Sequence, residues 1–253
     1  NKVKKLLPII CITCIMLSLT VGLYYRIISY EKQRCFDRLG EYVSTFNKEI
    51  TVKFDDEIEK LRAIGELLSV DNNLDRRQMV SLHIDKLKNS TFYSRIDVLF
   101  QDGSFVTNGG VLAGSASSDY EKLFEKGEHM SHRVTDFVSG KKCLYYFIPI
   151  SDQSGTAAVL IGVIDVQGLG DLFVSRIYKS ESFYCVVDSY DGSYIMDSWH
   201  GELGNAYETE ERQRARGYEN IDLKEETKNL KTGVIAFKSE TNGKTIYMHY
   251  TPL

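Results

Sequence analysis

Residues Leu6 to Tyr25 read LLPIICITCIMLSLTVGLYY, a run of about twenty without a charge. At ~1.5 Å rise per residue a helix of this length crosses the ~30 Å hydrocarbon core of a bilayer. A cleaved signal peptide has a shorter apolar core and a small-x-small cleavage site. This run is longer and ends in Tyr24-Tyr25-Arg26, whose paired tyrosines suit the headgroup interface. It reads as an uncleaved anchor over residues 6–25, with a short cytoplasmic N-terminus in 1–26. Lys2, Lys4 and Lys5 precede the run, which places the rest of the chain outside the cell. Arg26, Lys32 and Arg34 on the far side reduce that asymmetry. The chain opens at Asn1 rather than Met, so a few residues are expected before it.

Cys11-x-x-Cys14 lies inside the apolar run, where no βαβ pattern surrounds it. It reads as two small hydrophobes rather than a redox pair. Cys35, Cys143 and Cys185 are far apart and are expected buried and reduced. Hydrophobic residues make up 43% and charged residues 26% of the 253, a globular balance that excludes disorder. A net charge of -4 argues against a nucleic-acid partner, which needs a basic face.

Beyond the anchor, residues 27 to 70 hold no Pro and only two Gly. Phe36, Leu39, Val43, Phe46 and Ile50 recur at spacings of three and four, and Phe54, Ile58, Leu61, Ile64 and Leu68 continue in a shifted register. This pattern predicts an amphipathic helix running out of the membrane for about 65 Å. Its 54–68 stripe is expected to pack on its own domain. The stretch 36–50 is expected to pair with a second copy as a homodimer stalk. Asp55, Asp56, Glu57, Glu59 and Lys60 form the expected wet side. Asp71-Asn72-Asn73 breaks the pattern, and Asp75 is placed to cap a helix over 76–89. That helix turns Met79, Leu82, His83 and Leu87 to one side. Residues 27–89 thus form a helical segment.

After residue 90 the period changes from 3.6 to 2. Ser94 to Phe100 alternates and runs into Asp102-Gly103-Ser104, a hairpin signal. Glu121 to Lys126 reads as a short helix. Gly140-Lys141 opens the strand CLYYFIPI, and a turn over 151–155 leads to AAVLIGVIDV. The order then repeats. Asp191-Gly192-Ser193 matches Asp102-Gly103-Ser104 at an offset of 89, and Gly243-Lys244 matches Gly140-Lys141 at 103. Pro149 and Pro252 keep the offset of 103. A constant order with one growing offset is a tandem module with one insertion, placed in the polar 200–230 stretch. The fold class is α+β, with antiparallel modules at 90–180 and 181–253. The second copy lacks the counterpart of AAVLIGVIDV, so the polypeptide is expected to continue past Leu253 and close that edge.

This arrangement resembles the double Cache (PAS-like) sensor domain of bacterial transmembrane receptors, over about residues 27 to 253. Tyr194-Ile195-Met196-Asp197-Ser198-Trp199-His200, GELGNAY and GVIAF look like sensor regions often linked to diguanylate cyclase (GGDEF) outputs. The resemblance implies a small-molecule ligand, held in the module farther from the membrane, here the first. It also implies a long helix that carries the signal through the membrane to a cytoplasmic output. A histidine kinase or chemoreceptor output is the alternative. In one subset that binds amino acids, the pattern implies roles for Asp136 and Tyr120. Asp119 stands where that subset has Trp, and Ser117 stands where it has the carboxylate-binding Arg. Losing that Arg removes a bidentate clamp, so a simple amino acid is not the expected ligand. Arg95 is the candidate replacement charge.

Arg95 and Asp97 sit two apart in SRIDVLF and share one strand face, while Ile96, Val98 and Phe100 take the other. A charged face opposite an apolar one is the pattern of a polar pocket backed by a core. Tyr145 and Phe147 share a face of CLYYFIPI, with Tyr146 opposite. The expected ligand-binding set is Arg95, Asp97, Tyr120, Asp136, Tyr145 and Phe147. Asp197 and Trp199 are the second-module candidates, with Trp199 also fitted to a core plug. His129-x-x-His132 lacks obvious third and fourth metal ligands, so no metal is expected. The run Glu208 to Arg216 reads as a solvated helix. No G-x-S-x-G, H-E-x-x-H or P-loop is present, so neither catalysis nor a cofactor is expected of this region. An anchored surface enzyme or an adhesive ectodomain are the rivals of another class.

Overall fold

The structure is a computed structural model. It describes all residues except 1, 71–76, 109, 113–120, 153–154, 174–182, 199–203, 212–213 and 240–242. Asp75, Ser117, Asp119, Tyr120 and Trp199 therefore lie outside the described residues. Helix α1 (Lys2–Val70) is continuous for 69 residues. Its N-terminal part is long and apolar enough to cross a membrane, and residues 11–30 are exposed along it. The chain divides into two compact units, Phe46–Glu211 and Asn1–Thr45 with Arg212–Leu253.

The larger unit is built on an antiparallel sheet. Its strands are β1 (Arg95–Phe100), β2 (Phe105–Thr107), β3 (Gly110–Leu112), β4 (His129–Met130), β5 (Val134–Thr135), β6 (Lys142–Asp152) and β7 (Gly155–Asp165). The spatial order is β3-β2-β1-β7-β6-β4, and β5 also pairs with β6. Central β7 is apolar throughout its middle, as a strand covered on both faces must be. One face carries Ile96, Val98, Leu144, Leu160 and Ile164, and meets Leu61, Ile64 and Leu68 of α1. Helix α2 (Arg77–Lys88) adds Val80 and Ile84. Gly162 lets α1 approach closely: a Cβ there would lie 2.8 Å from Leu61 Cδ2. The other face carries Leu99, Cys143, Phe147, Val159, Ile161 and Val163. Beside it lies the short helix α3 (Glu121–Glu125), with Leu123 and Phe124 packed on this second cluster.

Helix α4 (Val166–Leu172) follows β7 and is capped by the Asp165 side chain, which accepts from Gln167 N. The hairpin of β8 (Cys185–Val187) and β9 (Tyr194–Asp197) leads to α5 (Ala206–Glu211). Met196 of β9 is buried in the core beneath α1. The hairpin therefore belongs to the larger unit, and the division falls at 211/212 rather than at 180/181. In the smaller unit, α6 (Leu223–Lys228) precedes an antiparallel pair of β10 (Gly233–Lys238) and β11 (Thr245–Tyr250). Phe36 of α1 meets the Tyr247 ring edge-on at 5.3 Å.

Three local expectations are corrected. Glu57 is buried rather than wet, because one of its oxygens accepts from Phe92 N at 2.8 Å. On α2 the buried residues are Val80 and Ile84, while Met79 and Leu82 are exposed. Packing chose a stripe rotated from the one read off the sequence. Cys35 is exposed, Cys143 is buried and Cys185 is half-buried, and all three are free thiols.

Candidate functional site

The two strand-face readings converge on one place. In the register of the sheet, Arg95 and Tyr145 flank Val163 of β7, and Asp97 and Phe147 flank Ile161. Period-2 alternation puts all four on the face opposite α1. Asp136 reaches the same face from the turn between β5 and β6. That turn is closed by Asp136 N donating to Lys141 O and Gly140 N donating to Asp136 O, each at 2.8 Å. Gly140 takes φ 70°, a left-handed conformation that glycine adopts without a Cβ penalty.

Arg95 joins the two acids. Its Nε donates to both carboxylate oxygens of Asp97 at 2.9 and 2.8 Å. Its Nη1 and Nη2 fork onto Asp136 at 2.8 and 2.7 Å. Asp136 also accepts from Ser139 N at 2.7 Å, Ser139 Oγ at 2.6 Å and Tyr145 Oη at 2.8 Å. Both carboxylates are 0% exposed. Five of the six residues expected in this site, Arg95, Asp97, Asp136, Tyr145 and Phe147, thus share one face. Phe147 joins through packing, stacked on His129 at 4.7 Å between ring centres. Ser139 was missed. Its signal was legible as Asp-x-x-Ser-Gly, a spacing that lets the aspartate accept from the serine N–H and hydroxyl as a local cap.

The two acids differ in what stabilises their charge. Burial raises the Asp97 pKa, and Arg95 only partly opposes it, leaving the group at about 7. Burial also works to raise Asp136, but the Arg95 fork, Ser139 and Tyr145 outweigh it and hold the carboxyl far below the usual range. Burial pushes the Cys143 thiol up to about 11, which makes it a packing residue and a poor nucleophile. Burial and then the bond to Asp136 raise the Tyr145 phenol, so it stays a donor.

The opposite face of β6 faces α1. Tyr146, next in sequence to Tyr145, donates to Glu128. Glu128 takes Arg62 of α1 through Nε at 3.2 and 3.1 Å and Nη2 at 2.6 Å. His132 pairs with buried Asp188 at 3.0 Å and stacks on Tyr190. Asp197 sits on β9 opposite Cys185. In the smaller unit, a cleft of about 430 Å³ is lined by Gln33, Phe36, Asp37, Gly40, Val234 and His249. Of these only Phe36 stands out in the sequence, as part of the helical stripe. Nothing in their spacing signals that β11 brings His249 within 3.1 Å of a Cβ built at Gly40.

Solved structures share this fold. The extracellular domain of the putative histidine kinase rpHK1S-Z16 matches at a TM-score of 0.63 and 14% identity, covering 85% of this chain and 87% of that one. The ligand-binding domain of the Pseudomonas fluorescens chemoreceptor CtaA, in complex with L-alanine, matches at 0.62 and 11%, covering 84% and 87%. The periplasmic sensory domain of the Campylobacter jejuni chemoreceptor Tlp1 matches at 0.59 and 13%, covering 85% and 89%. The chain has the fold of a receptor sensor domain. No protein-family model and no curated protein matches it. The neighbours with this sensor fold serve chemoreceptors and histidine kinases alike, so the fold is common to both receptor types.

Proposed function

We propose that this chain is the extracytoplasmic ligand-sensing region of a membrane receptor, binding rather than transforming a small molecule on the Arg95–Asp97–Asp136 face. The observation that carries the reading is the pair of adjacent tyrosines on β6. Tyr145 bonds the buried acid of the site, and Tyr146 bonds the Glu128 that holds Arg62 of the long helix. A ligand that shifts β6 is felt by α1 through one strand. The energy for signalling comes from the ligand's preference for one of two states. Helix α1 carries the displacement into a membrane at its apolar start, and two copies pair along the stalk; Phe36, Phe46 and Ile50 are buried within the chain, so that pairing uses the exposed side of 36–50. A cytoplasmic diguanylate cyclase is the output we favour. A histidine kinase or chemoreceptor output is the second reading, favoured by the neighbours, which are sensor domains of those receptors.

The test is thermal unfolding of the 253-residue chain in detergent micelles against a panel of uncharged metabolites, amino acids and alkylamines. At least one compound is expected to raise the midpoint and to slow amide exchange around Arg62. Tyr146→Phe is expected to keep the first effect and weaken the second. A panel with no stabilising compound removes the sensor reading, and measured turnover of a panel compound replaces it with an enzyme.

A further inference from the structure

The triad has a charge count that the sensor reading leaves unused: two buried carboxylates and a single guanidinium. A carboxylate offers about four lone-pair sites. Asp136 already receives two N–H groups of Arg95, the N–H and hydroxyl of Ser139, and the Tyr145 hydroxyl. No acceptor site remains for a further donor. The guanidinium's charge is matched as well: its end fork meets Asp136 and its Nε meets Asp97, which leaves one N–H on each Nη for a neutral acceptor. The Arg95 side chain is only 14% exposed, and the sheet face it shares also carries the apolar cluster of Leu99, Cys143 and Val163.

We propose that Arg95 is a tethered cation: it fills from within the chain the place at Asp136 that a ligand's ammonium or guanidinium group would take. It is therefore a specificity-determining residue that closes this acid to free cations. Anions gain nothing either, because Asp136 already matches the guanidinium's charge and Asp97, once ionised, adds a net negative charge. The ligand class left for this face is uncharged. This rests on the reading of the face as the ligand site, but the occupancy of Asp136 is testable apart from it.

The probe is methylguanidinium, the shape of the Arg95 head group without its tether. Arg95→Ala in the 253-residue chain leaves two facing buried acids, and its thermal midpoint is expected roughly 10 °C below that of the native chain. Saturating methylguanidinium is expected to restore at least half of that loss. Tetramethylammonium at equal ionic strength is expected to restore none, and neither salt is expected to move the native chain. Arg95→Lys keeps the charge but loses the planar fork, and is expected to stay insensitive to methylguanidinium. If Arg95→Ala does not fold, Arg95→Ala with Asp97→Asn carries one buried acid fewer and gives the same readout. Absence of rescue in both variants overturns the proposal, as does failure of the double variant to fold even with methylguanidinium present. A native chain stabilised by methylguanidinium, an alkylamine or an amino acid also overturns it, while leaving the sensor reading intact. Rescue in Arg95→Ala, with no panel compound shifting the native chain, supports the tether and sinks only the sensor reading.

Discussion

The two Gly-Lys turns of this chain are closed by the same hydrogen bonds and carry different chemistry. In the first, Gly140 takes φ 70°, Asp136 N meets Lys141 O at 2.8 Å, and Gly140 N meets Asp136 O at 2.8 Å. In the second, Gly243 takes φ 67°, Ser239 N meets Lys244 O at 2.9 Å, and Gly243 N meets Ser239 O at 2.8 Å. The strand pairing follows the turn: Val134 opposes Cys143 as Phe237 opposes Ile246. The Asp-Gly turns agree too, with Gly103 at φ 77° and Gly192 at φ 81°. Yet where the first module has Asp136 and Tyr145, the second has Ser239 and Met248, and Arg95 and Asp97 correspond to Tyr184 and Val186. Turn chemistry dictates the backbone of both copies. The Arg95–Asp97–Asp136 cluster is thus confined to the first copy, whereas the buried acid of the second, Asp188, stands at its Asp-Gly turn.

The widest gap between the copies is expected at the acid itself. Asp136→Ala removes the main partner of a buried guanidinium and should cost about 3 kcal/mol of stability. Ser239→Ala at the matching position should cost about 1 kcal/mol or less. Denaturant unfolding of both variants checks this, and equal losses would erase the distinction drawn between the copies.

The pH dependence comes next. Asp97 holds its proton up to about pH 7 when folded, against an ordinary aspartate value of 3.8. Between those values the folded chain binds a proton that the unfolded chain has released. Stability contributed by this group therefore declines by about 1.4 kcal/mol per pH unit as pH rises through that window, and is level above it. Asp136 has the opposite sign: its depressed pKa gives stability that is present above the usual carboxylate value and is lost as pH falls below it. Asp97→Asn should flatten the decline in the thermal midpoint between about pH 5 and 7. An unchanged slope would mean that Asp97 is ionised throughout. The second copy has Val186 at this position and contributes no such slope.

A smaller effect should be shared by both copies. Gly140→Ala and Gly243→Ala each place a Cβ in a left-handed conformation, at a cost of about 1–2 kcal/mol. Among the described residues no atom lies within 4 Å of the added carbon at either site, so the two losses should match. A large difference would show that the turns are not equivalent. Smallest is Arg62→Ala, which removes a partly exposed pair and should leave global stability almost unchanged. Its value lies in amide exchange of α1, which should become insensitive to changes at the site.

The long helix, the two glycine turns and the sharing of a face by Arg95 and Asp97 were legible in the residues. Each depends on contacts along a few residues: an uncharged run, a left-handed backbone position, a period of two. Less legible was anything that depends on distant packing. Glu57 looked solvated among Asp55, Asp56 and Glu59, but the N–H of Phe92, 35 residues away, takes its carboxylate inside. Met79 and Leu82 of α2 looked like its buried side, but the sheet meets Val80 and Ile84. The union of Arg95 with Asp136 spans 41 residues and two strands.

By itself the sequence determined the local conformations and their order, because hydrophobic period, glycine and capping residues act through near neighbours. It also determined that charge would lie on one face of β1. Only the tertiary structure decided that this charge is spent internally. Pairing two acids with one guanidinium in an apolar setting requires the sheet register to bring β1 and the β5–β6 turn together, and that register is a property of the assembled strands rather than of any single one.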